Sequence, residues 1–140
     1  GMWTQYIDVD KSFERIAALD FDAIIAFSLA APVLVALLCH PDYGTRLRSQ
    51  LRFAAFFSGF LPKDPRLMSW IKAVGHIRGL PTFHCIGASD EEISADRSEA
   101  LATHFENATM YQHAGGHVVP AAVRKHFKAF VAGLPPAAGT

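Results

Sequence analysis

The feature that most constrains this chain is an apolar strand that runs into an apolar helix with a single serine between them. Residues 21–27 (FDAIIAF) predict a buried strand, and residues 29–40 (LAAPVLVALLCH) predict a helix whose Pro32 falls in the first turn, where a missing N–H costs little. Both segments are apolar on nearly every side, so each must be covered on more than one face. The pair therefore favours an α/β fold in which helices cover both faces of a parallel sheet.

The same alternation continues along the chain. The pattern predicts further strands at 53–58, 80–87 and 108–113, and helices at 11–19, 66–74, 94–105 and from 120 to about 133. Helices that alternate with short apolar strands are typical of right-handed crossover units. We therefore predict one α/β domain over residues 1–140 with a mostly parallel sheet of about four strands. Residues 1–10 form an N-terminal segment, and residues 134–140 are expected to be a flexible tail.

Charge and hydropathy exclude several classes of partner. The chain has 13 Lys and Arg residues and 13 Asp and Glu residues, scattered without a basic stripe, so a nucleic-acid partner is not expected. No stretch approaches about 18 consecutive apolar residues, and the first residues lack the pattern of a signal peptide. We therefore expect no membrane partner and a cytoplasmic location.

Cysteine and histidine spacing offers no metal or cofactor site. Cys39 and Cys85 lie within apolar runs, which is typical of buried small hydrophobic residues. The other histidines lack the paired spacing of metal ligands, and we assign no role to His76, His84, His104, His113 and His126. No metal and no cofactor are predicted.

Ser28 occupies the position of a nucleophile elbow, in which a strand delivers a serine into a sharp turn and a helix follows at once. The glycines of the usual Gly-X-Ser-X-Gly pattern are replaced by Ala26 and Ala30, which are still small but accept more steric strain. A serine between a strand and a helix is also a common N-cap, because its hydroxyl can accept a hydrogen bond from the first turn. Taken alone, Ser28 is compatible with both roles.

An acid and a histidine follow two later strands. Asp90 comes after the third predicted strand and His117 after the fourth, where Gly115 and Gly116 are expected to let the backbone turn. Singly, such an Asp is more often a solvated loop residue. In the order Ser, Asp, His, each just beyond the carboxyl end of a strand, they match the α/β-hydrolase arrangement.

This arrangement predicts a catalytic triad. Ser28 would be the nucleophile, His117 the general base and Asp90 the group that orients the imidazole. The backbone N–H of Leu29, directly after the nucleophile, would be one donor of the oxyanion hole.

Four blocks of the sequence resemble the FSH-type serine hydrolase family: IIAFSLAAPVLVALL, FAAFFSGFLP, LPTFHCIGASDEEISADRSEALATHF and HAGGHVVP. The resemblance extends from about Phe13 to Phe130. This is an α/β-hydrolase family of esterases and thioesterases, found in fungi and other eukaryotes. The resemblance implies hydrolysis of a small carboxylic ester or thioester, with Ser28, Asp90 and His117 in the catalytic positions.

The chain departs from the family pattern in two places. The elbow GFSQG of the family is AFSLA here, so Leu29 replaces a polar residue beside the nucleophile. Family members also carry upstream strands, including a His-Gly loop that supplies the second oxyanion donor, and this sequence begins after them. The resemblance therefore implies a truncated α/β-hydrolase fold that corresponds to the C-terminal portion of the family.

Two functions follow from these features. The first is a serine hydrolase. The alternative is a non-catalytic, hydrolase-derived binding or dimerisation module that lacks a complete oxyanion hole and in which Ser28 caps a helix. Since an unpaired apolar strand edge favours association, we also expect a homodimer in which the strands at 21–27 pair or the N-terminal segment covers the neighbouring copy. A longer natural chain, or a second polypeptide that supplies the first half of the fold, would cover the same edge.

Overall fold

The computed structural model describes residue 6 and residues 8–136. Within this part of the chain, a first helix precedes four strands, and one or two helices separate each strand from the next. The elements are α1 (Val9–Ala17), β1 (Ala23–Phe27), α2 (Ala30–Leu38), α3 (Gly44–Gln50), β2 (Phe53–Phe57), α4 (Pro65–Val74), β3 (Thr82–Gly87), α5 (Ala95–Ala102), β4 (Ala108–His113) and α6 (Val123–Ala132).

The four strands form one parallel sheet in the order β1-β2-β3-β4. The register pairs Phe27 with Phe57 and Gly87 with His113, so the carboxyl ends of the strands meet at one edge of the sheet. The helices between successive strands return the chain to the amino ends of the strands, which is the geometry of parallel crossovers. The predicted α/β class and the strand number are confirmed.

The two faces of the sheet are covered unequally. On one face, α1, α2, α4 and α5 pack on the strands in a core that includes Phe13, Leu37 and Phe56, each almost fully buried. On the other face, α6 packs on β2 and β3, where Phe127 meets Phe83 edge-to-face with ring centroids 5.4 Å apart. Of strand β1, Ala23 packs against this second cluster, whereas Ile25 and Phe27 are largely exposed.

Strand β1 is therefore half covered. Ala26 faces α2 and is 3% exposed, whereas Ile25 and Phe27 point to the opposite face and are 55% and 42% exposed. Among the described residues, β1 pairs with β2 alone. None of the described strands pairs with its second edge, and Ile25 and Phe27 leave one of its faces partly exposed.

Several details differ from the sequence-based prediction. Helix α1 begins at Val9, so part of the predicted N-terminal segment is helical, and α3 was not predicted at all. Helix α3 spans 7 residues and buries only Gly44 and Leu47, which is too short for a periodic apolar pattern. Cys39 and Cys85 are buried and free, as predicted. Residues 1–5, 7 and 137–140 lie outside the described residues, so the flexibility predicted for the tail stays a prediction.

Candidate active site

Ser28 forms a strained turn between β1 and α2. Its φ is 54°, in the left-handed region that residues with a Cβ seldom adopt. Its N–H donates to the carbonyl of Phe57 at 2.9 Å, and its carbonyl accepts from the N–H of Ala31 at 2.9 Å. Leu29 is the N-cap of α2, and no side chain caps this helix. The hydroxyl of Ser28 is therefore not a helix cap and points elsewhere.

Asp90 is held in the loop between β3 and α5. Its side chain is 1% exposed, and its Oδ1 accepts from the N–H of Glu92 at 2.9 Å and of Ile93 at 2.8 Å. Burial alone would raise the pKa of Asp90, but the Ile93 N–H, the His117 ring and the Glu92 N–H outweigh it and hold the pKa below its ordinary value. The carboxylate is therefore ionised at neutral pH and acts only as an acceptor.

His117 joins the other two residues. Its Nδ1 lies 2.8 Å from Oδ2 of Asp90, and its Nε2 lies 2.9 Å from Oγ of Ser28. Because an ionised carboxylate can only accept, the proton of the neutral imidazole belongs on Nδ1. Nε2 then has a free lone pair for the hydroxyl of Ser28. The three residues named by the sequence thus form one continuous hydrogen-bonded chain, assembled from three separate loops.

Backbone contacts fix the loop that carries His117. The Ala88 N–H donates to the His113 carbonyl at 2.7 Å, and the Ser89 N–H donates to the Gly115 carbonyl at 3.0 Å. A Cβ on Gly87 would lie 2.5 Å from the Gly116 carbonyl oxygen, so only glycine allows this approach. The chain that follows β4 is therefore pressed against the end of β3, next to the loop of Asp90.

The backbone bends at Gly115 before it reaches His117. Neither Gly115 nor Gly116 has a positive φ; in this region the close approach at Gly87 is what requires a glycine. The Gly115 N–H donates instead to Nδ1 of His113 at 3.1 Å, which shapes the turn without left-handed backbone.

Two neighbours of the triad were not predicted. The carboxylate of Glu92 lies 3.3 Å from Nε2 of His117 through its Oε2, and its side chain is 72% exposed. Ser58, which follows β2, repeats the conformation of Ser28 with a φ of 51° and an N–H that donates to the Cys85 carbonyl at 3.0 Å. Glu92 is near Asp90 in sequence, but no motif marks it; the signal for Ser58 is the strand-Ser-Gly pattern at 53–59.

Leu29 has the position expected for an oxyanion donor. It directly follows Ser28 and begins the first turn of α2, where backbone N–H groups have no partner within the helix. Leu29 is 58% exposed beside Ser28. Its role as a donor stays a prediction.

Residues 6 and 8–136 contain no group of three or more His, Cys, Asp or Glu side chains suited to a metal. None of the helices in this part of the chain combines the length and hydropathy needed to cross a membrane.

Proteins of similar sequence are named esterases. The chain is 36% identical over 115 residues to Esterase OVCA2 of Xenopus tropicalis, which covers 81% of this chain and 46% of that protein. It is 34% identical over 107 residues to Esterase C25G4.2 of Caenorhabditis elegans, which covers 76% of this chain and 47% of that protein. The chain thus spans less than half the length of these two relatives.

The fold and the family agree with these relatives. The crystal structure of acyl-protein thioesterase 2 from Zea mays matches with a TM-score of 0.61 over 89% of this chain and 63% of that chain, at 16% identity, which supports the α/β-hydrolase fold alone. The model of the family described as serine hydrolase (FSH1) matches residues 3–129. Because that match takes in most of the sequence and the resemblance extends through all four strands, the chain belongs to the serine hydrolase (FSH1) family.

Proposed function

We propose that this protein hydrolyses a small carboxylic ester or thioester through Ser28, His117 and Asp90. One observation carries the proposal: the hydrogen-bonded chain from Asp90 Oδ2 through the two ring nitrogens of His117 to Ser28 Oγ, with distances of 2.8 and 2.9 Å. Both distances are within the range for a nucleophile, its base and the group that orients the base. Membership of a serine hydrolase family supports the same activity.

The reaction follows from the protonation states. Nε2 of His117 accepts the hydroxyl proton as Ser28 Oγ bonds to the acyl carbon, and Asp90 stabilises the imidazolium that results. As the bond to the leaving oxygen or sulfur breaks, Nε2 returns the proton to that atom. A water molecule, activated by the same nitrogen, then releases the acid from Ser28.

Charge on the carbonyl oxygen needs its own donors. The Leu29 N–H, at the start of α2, supplies one of them, and the positive end of the helix adds to it. Removal of one such donor typically lowers turnover by about 10²–10³. The turnover of this chain therefore depends on whether a second oxyanion donor is present.

A fluorophosphonate probe tests the proposal, because it labels only an activated serine. We expect the parent protein to be labelled and the Ser28→Ala variant to remain unlabelled. Ser58→Ala is the matched control: Ser58 has a similar backbone φ and also follows a strand, but it is 2% exposed and makes no bond to His117. Labelling that persists in Ser28→Ala, or is lost in Ser58→Ala, would contradict the assignment.

The second candidate function is a non-catalytic binding or dimerisation module. The observation that favours it is the exposure of large apolar side chains along β1, namely Ile25 and Phe27, together with Leu29. An intact, folded parent that takes up no probe would support this function over hydrolysis.

We also propose that a second copy of this chain covers β1. Among residues 6 and 8–136, no strand pairs with the outer edge of β1, and Leu19, Phe21 and Ile24 border an apolar cleft beside it. Pairing of two such edges around a two-fold axis satisfies both strands at once and buries the same side chains twice.

Light scattering tests this pairing. We expect a dimer for the parent and a monomer for Ile25→Lys, which places a charge on the exposed face of β1. Met110→Lys, at a side chain 49% exposed on the opposite edge strand β4, should remain a dimer. A monomeric parent would refute the proposal.

A further inference from the structure

Glu92 places a negative charge beside the catalytic nitrogen. Its Oε2 lies 3.3 Å from Nε2 of His117, on the same nitrogen that faces Ser28 Oγ at 2.9 Å. Its side chain is 72% exposed, whereas the carboxylate of Asp90 is 1% exposed on the far side of the ring. Of the two carboxylates at the ring, only Glu92 can face a bound substrate.

The position of Glu92 is set by the same turn that holds the triad. Its backbone N–H donates to Oδ1 of Asp90 at 2.9 Å, so the residue cannot move away from the site without loss of that bond. No Lys or Arg within residues 8–136 forms an ion pair with its carboxylate. The backbone of Glu92 is therefore held beside the site, and no Lys or Arg of these residues neutralises its carboxylate.

Apolar side chains also border the site. Phe27 packs on the His117 ring with centroids 5.0 Å apart, and Leu29 and Val118 are more than half exposed beside the nucleophile and the base. A substrate at Ser28 would thus meet an apolar rim and one carboxylate.

We propose that Glu92 is a specificity-determining residue that selects esters with a neutral or cationic leaving group and disfavours anionic ones. The proposal rests on the hydrolase function above. Nε2 must reach the leaving atom to return its proton as the ester bond breaks, so the leaving group passes beside Oε2 of Glu92. A charged group two or three atoms from the leaving oxygen then lies about 4–7 Å from the Glu92 carboxylate. At that distance, the interaction between the two charges changes the rate by about three- to fivefold even in water.

Three acetate esters test this selection; in each, the alcohol is an ethanol that carries a different group on its second carbon. The alcohol carries a trimethylammonium group, its neutral tert-butyl isostere or a sulfonate, so the acyl half and the bulk of the leaving group stay nearly constant. In the parent, kcat/KM should decrease in that order. In Glu92→Gln, kcat/KM for the cationic ester relative to the neutral ester should fall, and kcat/KM for the anionic ester relative to the neutral ester should rise, each about three- to fivefold.

Glu91→Gln is the matched control, because it removes the same charge from the neighbouring exposed residue, which makes no contact with His117. It should leave the order and the ratios close to those of the parent. Two results would overturn the inference while the neutral ester is still hydrolysed. One is that the ratios of kcat/KM among the three esters are the same in the parent and in Glu92→Gln; the other is that Glu91→Gln changes these ratios as much as Glu92→Gln does. A parent that does not hydrolyse the neutral ester would overturn the hydrolase function itself, and this inference with it.

Discussion

The backbone of Ser28 predicts a difference between two variants that both lack the nucleophile. With a φ of 54°, residue 28 is in the left-handed region, which costs a residue with a Cβ roughly 1–2 kcal/mol. Ser28→Ala keeps that cost, whereas Ser28→Gly removes it. Both variants lose the same hydrogen bond to His117, so their comparison isolates the backbone term.

The expected size follows from two opposing effects. Glycine avoids the left-handed penalty but leaves the unfolded chain more freedom, which costs about 0.4–1 kcal/mol. The free energy of unfolding of Ser28→Gly should therefore exceed that of Ser28→Ala by about 0.5–1 kcal/mol. Urea unfolding at neutral pH, followed by circular dichroism, measures this difference.

A control pair should reverse the sign. Ser69 is exposed within α4, where the backbone is helical, so Ser69→Gly should be less stable than Ser69→Ala by about 1 kcal/mol. If Ser28→Gly is no more stable than Ser28→Ala while the control pair behaves as expected, Ser28 does not bear the strain that its φ indicates. The nucleophile elbow would then be a relaxed turn in this protein.

Three further perturbations test other parts of the site and core. Asp90→Asn should retain the fold but lower the rate of fluorophosphonate labelling by a factor of about 10³–10⁴, because an amide at this position favours the wrong tautomer of His117. Unchanged labelling would refute the orienting role of Asp90. Gly87→Ala should lower the free energy of unfolding by about 1–3 kcal/mol and reduce labelling, because its Cβ would lie 2.5 Å from the Gly116 carbonyl oxygen. In the control Gly116→Ala, the Cβ would meet only the Ser89 carbonyl oxygen at 3.7 Å, so this variant should resemble the parent. Burial lowers the pKa of His84 from 6.5 to about 4, so between these pH values the unfolded chain binds a proton that the folded chain does not. The free energy of unfolding should therefore fall by about 3 kcal/mol as the pH drops through that window. His84→Gln should remove this part of the destabilisation by acid in urea unfolding, and parallel curves of stability against pH for parent and variant would contradict it.

The sequence was sufficient for the elements that have strong local patterns. Strands β1 to β4 were each predicted within a few residues because apolar runs bounded by turn residues mark them, and the parallel order follows from the helices between them. The sequence also indicated Ser28, Asp90 and His117, since each follows a strand end, and the structure brings all three together. Helix α3 lacked an apolar stripe, so its contribution depends on packing that a local pattern does not contain.

Contacts between loops could not be predicted in the same way. The approach of Gly116 to Gly87 joins chain segments that are far apart in sequence, and only the assembled sheet reveals why residue 87 must be glycine. The same holds for Glu92, whose side chain reaches Nε2 of His117 because the turn at Asp90 directs it there. Spacing along the chain specifies which strand end a residue follows, but not which neighbouring loop its side chain meets.

The division of the site between strands connects the two proposals on catalysis and pairing. Asp90 and His117 are held by backbone bonds between the loops after β3 and β4, which lie far from the open edge. Ser28 and Leu29 instead follow β1, the edge strand, whose only partner among the described residues is β2. We therefore expect fluctuations of this edge to displace Ser28 and Leu29 more than the Asp90–His117 pair. We expect any partner that covers β1 to accelerate acylation of Ser28 more than it alters the Asp90–His117 pair.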